Sequence, residues 1–267
     1  MDVRDVAADA REALVASYRL ASDRELTLLA AGFAYYAFVS LIPLVLLALV
    51  VGSILGGEEL AQQLVESAGD LLPEAGDEIV TAALTTEAGR AEASIVALAV
   101  ATWGGLKVVR GLSKAFDEVY GEAGEDSLLE EVRDGIVIVL TIAIALGLMI
   151  VMGVLLGLVA GELPFVGVVS WAVLIVGLFA AFLPVYYVLP PIRVRLTEIV
   201  PGAAFAAVGW TILQVGFQLY AANAAQYEAY GAIGAVLLFV TWLYFAGILV
   251  LTGAVLNVVL SRPEIVD

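Results

Sequence analysis

The chain has no cysteine and no histidine among its 267 residues. No disulfide framework is open to it, so cysteine usage carries no record of compartment. The same absences exclude a zinc site of the common kind and acid–base chemistry through an imidazole. Cations are scarce too: 12 Lys and Arg stand against 28 Asp and Glu, a formal charge of −16. That balance disfavours sequence-independent binding of nucleic acid, which draws on clustered Lys and Arg. Dense surface carboxylates would suit a high-salt environment, and a halophilic source is the corresponding expectation. Charge of either sign makes up only 15% of the chain, whereas hydrophobic residues reach 62%. Soluble domains average roughly 25% and 45–50%.

The apolar residues fall into long runs, and a run of about 18 or more reads as a transmembrane helix. These runs are too long and too continuously apolar for the alternating strands of a barrel. The expected fold class is all-α, a polytopic membrane helical bundle with about six spans near 27–55, 93–113, 134–160, 166–189, 199–223 and 231–260. Residues 1–26 come before this domain. Val3, Val6, Ala7, Ala10, Leu14, Tyr18 and Ala21 repeat there at helical spacing, with Asp2, Asp5, Asp9, Arg11, Glu12 and Arg19 opposite. That pattern predicts an amphipathic helix on the membrane surface or against the cytoplasmic ends of other helices. It lacks the continuous apolar core of a signal peptide. Segment 56–92 is acidic, with Leu60, Leu64, Ile79, Val80 and Leu84 at roughly helical spacing, and predicts a small outer cap of two helices broken near Pro73.

Orientation follows from Lys and Arg counted loop by loop. With the N-terminus inside, the inner segments hold Arg4, Arg11, Arg19, Arg24, Lys107, Arg110, Lys114, Arg133, Arg193, Arg195 and Arg262; the outer ones hold Arg90 alone. The expected topology places both termini, including the tail 261–267, in the cytoplasm.

Several segments, taken in order, resemble the YihY/virulence factor BrkB family, formerly labelled ribonuclease BN. They are AYYAFVSLIPLVLL from Ala34, ATWGGLKVVRGLSKAFDEVY from Ala101, Leu189-Pro190, Pro201-Gly202-Ala203, Tyr220, YGAIG from Tyr230, and WLYFAGILVLTGAVLN from Trp242 to Asn257. The resemblance covers nearly all of the chain after residue 20. It implies a six-helix inner-membrane protein of undetermined activity, often suspected of transport, and supplies no catalytic residues.

The second span is the most unusual. From Ser94 to Leu106 about 13 residues are free of charge, short of the ~20 that cross a bilayer as a helix. Lys107, Arg110 and Lys114 then follow on one helix face below Trp103. Gly104-Gly105 permits a kink at this point. Short, glycine-interrupted and basic, the segment has the features of an anion site near the membrane midplane. The plainer reading has Lys107 and Arg110 snorkelling to the cytoplasmic headgroups.

Polar side chains inside spans seek partners, so Tyr35, Tyr36 and Ser40 of the first span should face the bundle interior. The same holds for Gln214, Gln218, Tyr220 and Asn223 of the fifth span, and for Thr241, Thr252 and Asn257 of the sixth. They either line a hydrated pathway or hold helices together. Gly153, Gly157 and Gly161 form a small-residue ladder on the third span that would permit close packing. Pro43 and Pro184 lie at similar depths in the first and fourth spans, and Trp103 and Trp210 in the second and fifth, a pattern that hints at an inverted repeat. Pro201 is expected in the first turn of the fifth span.

No compact acidic motif beside a basic groove is present, so the ribonuclease label finds no metal-dependent chemistry in the sequence. A non-enzymatic protein without cofactor is expected. Its partners are the lipid bilayer and an unidentified transported solute, with homo-oligomers an open case and nucleic acid excluded. Two functions remain: a transporter or channel-like protein for a small solute, ion or lipid, or a non-transporting envelope protein that engages partners.

Overall fold

The computed structural model describes residues 3–40, 87–122, 128–158, 166–222 and 231–262. The described residues are helical apart from short turns, with no strand among them. Seven helices are described: α1 (Val3–Asp23), α2 (Leu26–Ser40), α3 (Glu87–Tyr120), α4 (Leu128–Leu158), α5 (Val166–Val188), α6 (Leu196–Ala222) and α7 (Gly231–Ser261). The chain divides into two compact units, Met1–Tyr35 with Val109–Asp267, and Tyr36–Val108.

In the larger unit, α5, α6 and α7 are each long and apolar enough to cross a membrane, over Gly167–Val188, Leu196–Tyr220 and Val236–Ser261. Of the three, α7 is the most enclosed and α5 the most open. Large apolar side chains point outward along them, among them Val168, Val176, Ile212, Leu219, Leu237 and Phe245. In water such a surface would be untenable; in a bilayer the lipid tails solvate it.

Within lipid the hydrophobic effect no longer drives helices together, so close packing and internal hydrogen bonds must do so. The α6–α7 seam is accordingly built from small residues. Ala203, Ala206 and Ala207 are fully buried on α6, facing Ala254 and its neighbours on α7. At Gly202 an added Cβ would strike the Gly253 carbonyl oxygen and Asn257, and at Gly253 it would strike Tyr186 and Gly202. Ala30 and Phe33 of α2 seat against Gly247 of α7, where a Cβ would come within 3.0 Å of the Phe33 ring.

Aromatic rings continue this core. Phe116 lies 5.9 Å from Tyr186, Phe182 5.6 Å from Trp210, and Trp210 5.2 Å from Trp242, the last two pairs edge to face. Edge-to-face pairs add about 0.5–1.5 kcal/mol beyond burial. These rings carry the core from α3 across α5 and α6 to α7.

Three expectations are corrected. The helix α3 runs unbroken from Glu87 to Tyr120 through Gly104-Gly105. Two glycines cost a helix about 1 kcal/mol each relative to alanine, but a helix this long keeps its hydrogen-bond ladder across them. Residues 87–92 therefore belong to α3 and not to an outer cap; the rest of the expected cap, like Pro43, lies outside the described residues. Pro201 is the sixth residue of α6, because the helix starts at Leu196. Its ring leaves the Thr197 carbonyl without an intrahelical donor.

Candidate functional site

The helix α6 begins with reciprocal hydrogen bonds. Glu198 sits three residues after Arg195, whose amide donates to Glu198 Oε2 at 3.2 Å, while the Glu198 amide donates to the Arg195 carbonyl at 3.0 Å. A carboxylate in a first helical turn also faces the positive end of the helix dipole. Arg262, just past the end of α7, donates to the Arg193 carbonyl at 3.0 Å and pairs with Glu198 Oε2 at 3.4 Å. One carboxylate thus ties the 193–195 segment and the end of α7 to the start of α6.

Next to it Tyr120, the last residue of α3, is buried. Burial pushes its phenol up to about 12; Arg262 lowers it and Glu198 raises it. Beyond Tyr120 the chain turns through Gly121 at φ +71°, where an added Cβ would come within 2.7 Å of the Arg24 guanidinium. Arg24 also pairs with Glu118 at 3.4 Å. A cation over the last turn of α3 opposes the negative end of its dipole.

Two hydrogen bonds cross between helices deeper in the core. The Gly202 amide donates to Asn257 Oδ1 at 2.6 Å, and the Tyr186 hydroxyl donates to the Val250 carbonyl at 2.8 Å. Both are buried. Asn257 Nδ2 is itself buried without a partner among the described residues.

The structure brings only part of the sequence-derived set together. Asn257 is 2% exposed and joins α7 to α6. Ser40 is buried, but its hydroxyl donates to the Ala37 carbonyl of its own helix. Thr241 likewise bonds the Leu237 carbonyl, and Thr211 the Ala207 carbonyl. Such back-bonding uses the hydroxyl's one donor within its own helix and leaves its oxygen as an acceptor. Tyr35 is 62% exposed, Tyr36 and Tyr220 less so, and Gln218 is exposed while Gln214 is half-buried. Asn223 and Gly161 lie outside the described residues. Gly153 is exposed with open space around it, and nothing is described of the surroundings of Gly157. Pro184 lies inside α5, half-buried.

On α3, Trp103 is 58% exposed, Gly104 is buried, and Lys107 and Arg110 are half-buried. The Lys107 ammonium lies 3.6 Å from the centroid of the Trp103 ring. Side chains lean toward the N-terminus of their helix, and this one does so by a full turn. A cation–π contact on an exposed ring stabilises by about 0.5–1 kcal/mol.

Sequence reasoning missed Tyr186, Gly202 with Gly253, and Glu198 with Arg262. The one available signal was the pairing of Gly253 and Asn257 one turn apart on α7, which marks a close helix crossing with a polar group beside it.

Several apolar helices long enough to span, carrying outward-facing aliphatic surface and hydrogen bonds satisfied internally, define an integral, multi-pass, all-helical membrane protein. The chain matches the family model described as virulence factor BrkB over residues 17–266, and it belongs to that family. It is 32% identical over 181 residues to a ribonuclease-like protein, YfkH, of Bacillus subtilis (strain 168), covering 64% of this chain and 65% of that one. It is 27% identical over 242 residues to a UPF0761 membrane protein of Azoarcus sp. (strain BH72), covering 86% of this chain and 59% of the other. A UPF0761 membrane protein of Pseudoalteromonas translucida (strain TAC 125) is 36% identical over 87 residues, covering 32% and 29%. The chain thus spans less than two thirds of the length of each of these relatives. No solved structure matches it.

Proposed function

We propose that this chain is a transporter or channel-like protein that moves a small solute, ion or lipid across the cell membrane, with six spans and both termini in the cytoplasm. It is not an enzyme in this reading, and the ribonuclease-like name of the Bacillus relative does not transfer to it. The supporting observation is the placement of Lys107. The Arg24–Glu118 pair lies beside the start of the apolar helix α2, and in this reading it stands at the inner boundary of the membrane. Lys107 precedes Glu118 by eleven residues on a continuous helix, a rise of about 16 Å. In a hydrocarbon core about 30 Å thick, that depth is near the midplane. Its ammonium folds back over Trp103, away from the headgroups that snorkelling would reach. An intramembrane cation is costly and marks a pathway or binding site by default.

The test is solute and ion flux into liposomes holding the purified protein. Lys107→Gln is expected to abolish flux, and Lys114→Gln, at an exposed position nearer the inner end of α3, to leave it intact. Flux in Lys107→Gln equal to that of the unaltered protein, with topology unchanged, would overturn the reading.

A second reading, a non-transporting envelope protein, draws on the closed packing of α5, α6 and α7 around Tyr186, Gly202, Gly253 and Asn257. A bundle solid throughout would show no flux for any solute tested.

A further inference from the structure

The helix α1 has one face in the core and another with nothing over it among the described residues. Leu20 is buried in the core cluster, Ala13, Ala16 and Ser17 are half-buried along the same face, and α1 packs on α7. On the opposite side Arg11, Leu14, Tyr18 and Ser22 follow one another at three- and four-residue steps, and all are exposed. Leu14 is 70% and Tyr18 77% exposed, with Val15 and Arg19 exposed beside them. Glu12, also exposed, stands at the edge of this stripe. A leucine and a tyrosine so uncovered on a helix already docked by its other side call for a second apolar surface.

The location decides which surface. After α1 the chain makes a two-residue turn at Arg24-Glu25, with Glu25 at φ +47°, and enters the apolar helix α2 at Leu26. The partner α7 is itself a spanning helix that ends at Ser261. α1 is therefore held where the spans leave the hydrocarbon. At that level aliphatic side chains reach the acyl boundary, a tyrosine ring sits among headgroups, and arginines meet lipid phosphates.

We propose that the Leu14–Tyr18 face of α1 is seated in the anionic leaflet that surrounds α2 and α7, with Arg11 and Arg19 on lipid phosphates. The helix then lies between bundle and bilayer, one face on each. Guanidinium groups flanking the apolar stripe favour acidic over zwitterionic headgroups, since each arginine near an anionic surface gains attraction there.

The absence of native cysteine makes the test direct. Single substitutions Glu12→Cys, Leu14→Cys and Tyr18→Cys in the full chain take a nitroxide label in vesicles of phosphatidylcholine with or without phosphatidylglycerol. Collision with oxygen, which concentrates in lipid, is compared with collision with a water-soluble nickel chelate. The expected result is loss of nickel collision at residues 14 and 18 but not at 12, strengthened by phosphatidylglycerol. Adding Arg11→Gln and Arg19→Gln removes that strengthening. Nickel collision at 14 and 18 equal to that at 12 would overturn the proposal. So would spin–spin broadening at 14 and 18 that disappears on dilution with unlabelled protein, because a second copy would then cover the face.

Discussion

The Gly202 amide and the Asn257 side chain meet at 2.6 Å in the fully enclosed seam between α6 and α7. The bond lies one residue after Pro201, where the α6 ladder has already lost a donor. A side chain on one helix thus supports the backbone of another at its weakest turn.

Replacing Asn257 with alanine removes that interhelical hydrogen bond. Such a bond contributes about 0.5–1.5 kcal/mol net. Denaturant titration of the purified protein in detergent micelles should show a loss in that range, whereas Thr241→Ala, which removes only a hydroxyl bonded within its own helix, should shift the midpoint little.

Glycines in the same bundle should diverge sharply. A methyl group at Gly253 would collide with Tyr186 and the Gly202 carbonyl, whereas at Gly216 nothing lies within 4 Å. Gly253→Ala is expected to destabilise by about 1–3 kcal/mol, the usual cost of overpacking. Gly216→Ala should stabilise by up to about 1 kcal/mol through helix propensity alone. Thermal melts of the two variants side by side check both signs.

Gly121 carries two constraints at once, a left-handed backbone and the Arg24 guanidinium beside it. Alanine there would cost about 1–2 kcal/mol from conformation, with displacement of Arg24 added. The same thermal melts should show the combined loss, and Arg24→Ala should reduce the penalty of the second substitution, a coupling that a double-mutant cycle measures.

Tyr120 sets a pH dependence. Burial raises its pKa from 10.0 to about 12 in the folded chain, so between those values the unfolded chain releases a proton that the folded chain keeps. Stability is therefore indifferent to Tyr120 below pH 10, falls from pH 10 to about 12, and levels off above. The slope approaches about 1.4 kcal/mol per pH unit at most. Tyr120→Phe should flatten that limb of a stability–pH profile in micelles.

The helical, membrane-embedded class was legible in sequence because long apolar runs have few alternatives in a bilayer. The candidate span in α5 falls within the expected fourth; those in α6 and α7 overlap the expected fifth and sixth, starting three residues early at Leu196 and ending one residue late at Ser261. What escaped was tertiary. Tyr186 and Tyr187 are adjacent and identical in type, yet Tyr187 is exposed while Tyr186 is enclosed. Gly202 and Gly253 are 51 positions apart, and no local pattern links them. Ser40 is interior as expected and Thr241 is not, yet both hydroxyls donate within their own helices, which spacing alone does not reveal. The glycine interruption expected at Gly104-Gly105 is absent too, since α3 is continuous there.

The last helix supplies the acceptors for both interhelical bonds: the Val250 carbonyl for Tyr186 and Asn257 Oδ1 for Gly202. During synthesis α5 and α6 enter the membrane before either acceptor exists. Until α7 arrives, the Tyr186 hydroxyl and the opened turn at Pro201-Gly202 are exposed to whatever else the membrane offers. A ribosome stalled before Val250 would therefore leave an inserted but unfastened product, open to membrane proteases, and completing α7 is the step that converts insertion into assembly.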